Sequence, residues 1–180
     1  MKLKCLYVTV LAVLITGLGF AQDCPKWGDK AGALHFLEEN KLHSTDADPS
    51  CVDTAFATLS HDKDSTEALI GLLDFERSTK HDDFISYGSR YPATGALMTI
   101  GAPAVPHLIK AIKKADSQLV RINAAHALGA IHRVCADVAI DLLEKEAKKT
   151  ETTGDEQTRL RAAQTYIRNF YHRRCKLGTS

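Results

Sequence analysis

The sequence predicts an all-α chain, arranged as an α-solenoid of about three to four antiparallel helix pairs. Three observations carry this. Almost every periodic apolar segment has helical spacing, and strand-like alternation over a useful length is absent. The segments come in pairs separated by short glycine, proline or acidic links. The pairs also repeat. A shift of 31 residues lays Ala93-Thr-Gly-Ala-Leu97-Met-Thr-Ile100 on Ala124-Ala-His-Ala-Leu128-Gly-Ala-Ile131, and Ile109 and Ile112 on Ile140 and Leu143. A shift of 38 lays Arg121-Ile-Asn-Ala-Ala125 on Arg159-Leu-Arg-Ala-Ala163, and a weaker shift of 39 lays Leu69, Ile70 and Leu73 on Leu108, Ile109 and Ile112.

Residues 1–21 read as a secretory signal peptide. Lys2 and Lys4 form a positive start, Leu6 to Phe20 is almost wholly apolar, and Gly19-Phe20-Ala21 places small residues at a cleavage site. The apolar run is shorter than the roughly 20 residues of a membrane span. The alternative is an uncleaved N-terminal anchor. Cleavage leaves 159 residues from Gln22 to Ser180, enough for one domain with a real core. The chain is expected to be secreted or periplasmic, with no transmembrane segment after processing. Lys2 and Lys4 are two of its 23 basic residues, so 21 remain against 22 acidic ones. That balance gives no reason to expect nucleic-acid binding. The halves differ, with 7 basic and 14 acidic residues over 22–90, and 14 basic and 8 acidic over 91–180.

Residues 22–47 form an N-terminal helical extension, with a helix over Asp29 to Leu42 that carries Ala33, Leu34, Phe36 and Leu37. The solenoid domain spans 48–180. Asp48-Pro49 reads as an N-cap with proline at the first helical position, followed by Val52, Ala55, Phe56 and Leu59. Asp64 to Glu67 resembles a capping box opening an apolar helix from Ala68 to Phe75. Residues 77–92 are polar and read as a long loop holding at most a short helical turn. The strongest repeats occupy 93–170. They predict helices over Ala93–Ile100, Pro103–Ala115, Gln118–Arg133, Ala136–Lys149 and Glu156 to about His172, with a polar link at Thr150 to Asp155. In IGAPAVPHLIKAI (100–112), Gly101 closes one helix in a left-handed conformation, and Pro103 and Pro106 fall in the first turn of the next. Arg121 pairs with Asp116 or an equivalent acid.

IGAPAVPHLIKAI and the following DSQLVRINAAHALGAI (116–131) resemble a HEAT repeat, of the short bacterial kind first noted in phycobilisome-lyase-type sequences. The resemblance is strong over 93–131, moderate over 132–170 and weak over 48–76. It implies a right-handed solenoid whose second helices line the concave face. On that face it offers Glu67 and Asp74, then His107, Lys110, Lys113 and Lys114, then Asp141, Glu144 and Lys145, of which those from His107 onward are the candidate interaction surface. Some HEAT-like hydroxylases hold two irons through His-Glu dipeptides, and this chain has none.

Cys5 leaves with the signal peptide, so Cys24, Cys51, Cys135 and Cys175 remain. An even count in an exported chain points to two disulfides, and counting alone leaves three pairings open. The solenoid implied by the resemblance selects Cys24–Cys51 and Cys135–Cys175. No metal, cofactor or catalytic residue is expected: there is no clustered Cys/His pair, P-loop, dinucleotide fingerprint or nucleophile elbow. His107, His126 and His132 are assigned to surface or packing, and His61-Asp-Lys-Asp64 and His81-Asp-Asp83 to solvated turns. The expectation is a non-enzymatic scaffold that presents a curved surface to another protein. The alternatives are an enzyme or enzyme subunit with a site near 77–92, and a binder of an anionic envelope surface through the basic C-terminal half.

Overall fold

The computed structural model describes residue 24 and residues 29–41, 48–77, 86–149 and 151–171. Among these there are nine α-helices and no strand: α1 Lys30–Asn40, α2 Pro49–Ser60, α3 Thr66–Gly71, α4 Tyr87–Arg90, α5 Pro92–Ile100, α6 Val105–Lys114, α7 Gln118–Ile131, α8 Ala136–Ala147 and α9 Gly154–Phe170. Short 3₁₀ turns occupy Lys63–Ser65 and Ala102–Ala104. No single described helix is long and apolar enough to cross a membrane.

The helix starts follow their local chemistry. Asp29 accepts from the Gly32 N–H and Asp48 from the Ser50 N–H, with Pro49 opening α2. Asp64 to Glu67 does not form the expected capping box. Asp62 accepts from the Asp64 N–H and caps a 3₁₀ turn, and α3 opens with no side-chain cap. A full capping box forms instead at α9: Thr153 accepts from the Glu156 N–H, and Glu156 accepts from the Thr153 N–H. The helix expected through Phe75 ends at Gly71. Leu72, Leu73 and Phe75 stay buried in successive turns, and Phe75 meets the Phe56 ring edge-on at 5.4 Å.

One core runs the length of the molecule, from Ala33 and Leu37 through Leu97 and Leu128 to Leu160 and Ile167. The alternate helices α2, α5, α7 and α9 pack in succession, α1 lies on α2, and α3, α6 and α8 lie beside this row. Small residues permit the close approach: Ala93, Ala124, Ala127 and Ala139 have no solvent exposure.

At IGAPAVPHLIKAI the chain turns by 111° between α5 and the segment of α6. Gly101 has φ 74 and ψ −134, a conformation for which a Cβ is unfavourable. Pro103 lies in the 3₁₀ turn and Pro106 in the first turn of α6. The turn therefore falls short of the reversal expected of an antiparallel pair. Close packing is on the other side, where α6 pairs with α7, and α8 with α9.

Cys24 is bridged to Cys51, which lies in the first turn of α2, with their Cα atoms 5.1 Å apart. Cys135, the residue before α8, is also engaged, and its expected partner Cys175 lies outside the described residues. So do residues 1–21 and His81-Asp-Asp83.

Candidate functional site

The candidate interaction residues fall into two groups. His107, Lys110 and Lys114 on α6 face Glu67, Ile70 and Asp74 across an open groove of about 570 Å³. Its floor is apolar, made by Ile70, Ala111 and Val120, and its rim carries both signs of charge. Lys110 spans the groove to Glu67 at 3.7 Å, with both side chains mostly exposed. On the opposite flank of α6, a second groove of about 420 Å³ runs to α8, where Lys113 binds Glu146 at 2.7 Å. Asp141, Glu144 and Lys145 are exposed on α8 and line neither groove, and Glu144 pairs with Lys148 one turn on at 2.7 Å.

The lysines of α6 are thus ion-paired rather than a bare basic stripe. Lys113 and Lys149 both contact Glu146, and they hold its carboxyl below the usual range. Lys114 pairs with Glu156, which is nearly buried. The Lys114 ammonium and the Thr153 N–H hold the Glu156 carboxyl down at about 2. The α3/α6 groove carries both signs, with Glu67 and Asp74 across from Lys110 and Lys114, and Asp116 beside Lys114.

Arg121 does not bind the Asp116 carboxylate. Its Nη1 donates to the carbonyls of Ala115 at 2.7 Å and Asp116 at 2.6 Å. Arg159 donates to the carbonyls of Lys113 at 2.9 Å and Ala115 at 3.4 Å. The two arginines matched by the repeat converge on the C-terminal end of α6, where carbonyls lack helical partners and the helix dipole favours cations.

Composition and spacing did not reveal a polar and aromatic cluster between α4, α7 and α9. Asn123 has no solvent exposure; it accepts from the Tyr87 hydroxyl and donates to the Leu73 carbonyl at 2.5 Å. His126 stacks on Tyr87 at 3.8 Å, its Nδ1 lies 3.0 Å from the Tyr166 hydroxyl, and Tyr171 donates to its carbonyl at 3.1 Å. Burial lowers the His126 imidazole from 6.5 to about 4, so the ring is neutral at ordinary pH. Burial also raises the Tyr87 and Tyr171 phenols. Nearby, the Arg77 N–H donates to the Arg90 carbonyl at 2.9 Å, and Arg90 Nε to Glu76 at 2.7 Å. These bonds tie the end of α4 to Glu76 and Arg77.

Among the described residues, one trio brings potential metal-ligand atoms within 4.8 Å of one another: Cys24, Asp48 and Cys51. Its sulfurs form the disulfide and its carboxylate caps α2. The chain matches no family model, no curated protein and no solved structure.

Proposed function

We propose that this is an exported, non-enzymatic HEAT-type repeat protein whose α3/α6 groove seats a segment of another protein. The observation that carries the reading is the groove itself: open, apolar along its floor, with Glu67 and Asp74 facing the basic residues of α6 and Asp116 at the α6–α7 end. Such a rim fits a segment with an apolar side chain flanked by a basic residue on one side and an acidic residue on the other. The solenoid reading draws support from the successive packing of α2, α5, α7 and α9. It also draws support from the 31-residue shift, which carries the start of α6 at Val105 to Ala136, the start of α8.

Site-specific photo-crosslinking in the native host tests this. A crosslinker at Glu67 is expected to trap one protein partner, and one at the exposed Asp155 is expected to trap none. Lys110→Glu in the same chain should abolish the Glu67 product. Equal products from both positions, or a Glu67 product that survives Lys110→Glu, would overturn the assignment.

A further inference from the structure

Five basic side chains are partly buried among the described residues: Lys41, Arg77, Lys113, Arg121 and Arg159. Three are ion-paired, with Asp74, Asp53 and Glu146. Arg121 and Arg159 have no carboxylate partner among the described residues. They are adjacent, since both donate to the Ala115 carbonyl. Each uses Nη1 alone, which leaves Nε and Nη2 without a protein acceptor among the described residues. The carbonyl end of α6 offsets two neighbouring full charges only in part, because a helix terminus carries about half a unit charge.

Both side chains line a groove of about 370 Å³ between α7 and α9, distinct from the α3/α6 groove. No acidic residue lines it, whereas the other two grooves carry both signs. Its floor is apolar, formed by Ile122, Ala125, Ala162 and Ala163, and Tyr166 closes the far end. Its volume suits a small ligand or a single side chain.

The geometry points to a binding site for one carboxylate carried on an apolar body. The carboxylate bridges the free N–H groups of Arg121 and Arg159, which the α6 carbonyls already hold in place. The apolar body lies on the alanine floor toward Tyr166. Guanidinium is suited to this because its planar fork matches carboxylate geometry and is held at little further entropic cost. The same chemistry is offered by a free organic acid and by the C-terminal carboxylate of an apolar peptide.

Calorimetric titration of the full processed chain tests the site, read together with the NMR shifts of the arginine Nε–H groups. Hexanoate is expected to bind at one site and shift Arg121 and Arg159. Acetate, which lacks the body, and 1-hexanol, which lacks the charge, should each bind at least about tenfold more weakly. Arg159→Gln should weaken hexanoate about tenfold. Because Arg159 also ties α9 to α6, a second variant leaves that tie intact: Ala162→Phe fills the groove from an exposed helix position and should abolish binding with the fold unchanged. A peptide ending in leucine with a free carboxylate, compared with its amide, separates the sources. Tighter binding by the free-carboxylate peptide than by hexanoate assigns a protein C-terminus, and the reverse order assigns a free acid. The proposal fails if 1-hexanol or inorganic phosphate matches hexanoate, if Ala162→Phe binds normally, or if hexanoate shows no saturable binding at millimolar concentration. Lys110→Glu, which disrupts the α3/α6 groove, should leave this site unaffected.

Discussion

Asn123 ties three parts of the chain together from one fully buried position. It joins α7 to the turn at Leu73 and to Tyr87 on α4. Asn123→Leu leaves the Leu73 carbonyl and the Tyr87 hydroxyl unpartnered, and should cost about 2–3 kcal/mol in urea unfolding. Amide exchange should accelerate at Phe75 to Arg77 and at Arg90 more than in α8. His126 supplies a pH dependence of known sign. Its folded pKa is lowered by burial, so the unfolded chain takes up the proton first. Stability is full above about 6.5, falls as pH drops toward about 4, and the deficit is then constant. The groups facing the ring are Tyr87, Tyr166, Tyr171 and Phe170, none of them an acid. The drop across that window should be roughly 2–3 kcal/mol, and His126→Phe should flatten it in thermal melts run at stepped pH. Glu156 acts lower and in the carboxylate sense: its contribution is present above about pH 4.5 and is lost as pH falls toward about 2. The spatial partners that set these titrations are not legible in the local sequence. His126 sits in a run of small apolar residues that announces packing, but its ring partners Tyr87, Tyr166, Phe170 and Tyr171 come from distant segments of the chain.

At the scale of elements, local rules predicted most of what formed. Asp48-Pro49 opened α2 as read, and the alanine-rich α7 packed into the core. Local rules lost where two signals competed. Asp62 and Asp64 both offer caps, and Asp62 took the role, converting the expected box into a 3₁₀ turn. The T-x-x-E pattern at Thr153 to Glu156 was available in the sequence, yet it lies in a polar link that masks it. Gly101 is the element-scale position with the sharpest consequence. Its φ of 74 with an extended ψ is a conformation other residues rarely adopt. Gly101→Ala should lower stability by about 1–3 kcal/mol, read as a lower urea midpoint with an unchanged m-value. Positions matched by the 38-residue shift also differ in burial. Asn123 and Ala124 are buried in α7, while the matching Arg161 and Ala162 of α9 are exposed. Among the described residues no helix packs outside α9, and Arg161, Thr165 and Arg168 are exposed there.

At the scale of the whole molecule, the N-terminal helix belongs to the common core. Ala33 and Leu37 have no exposure, and the Cys24–Cys51 bridge fixes the chain before α1 to the start of α2. The bridge spans 27 residues of sequence, so its loss should cost roughly 2–4 kcal/mol. The paired variant Cys24→Ser and Cys51→Ser should show a lower melting temperature and faster proteolysis within residues 24–48, while the α6–α9 region keeps its amide protection. The same localisation bears on charge. Among the described residues of 91–180, Lys113, Lys114, Lys148 and Lys149 are each matched by a glutamate.

The sequence by itself determined the helical class and the order of the main helices. These depend on apolar period, caps and breakers, which act within a few residues of one another. IGAPAVPHLIKAI showed that a turn occurs between Ile100 and Val105. Only the tertiary structure decided how far it turns, and that α6 packs against α7 more than against α5. Only it decided that the repeated Arg121 and Arg159 meet at one helix end, and that Asn123 and His126 are buried among tyrosines. Those outcomes rest on side chains brought together from distant segments, and no local pattern encodes which of many polar residues will be enclosed.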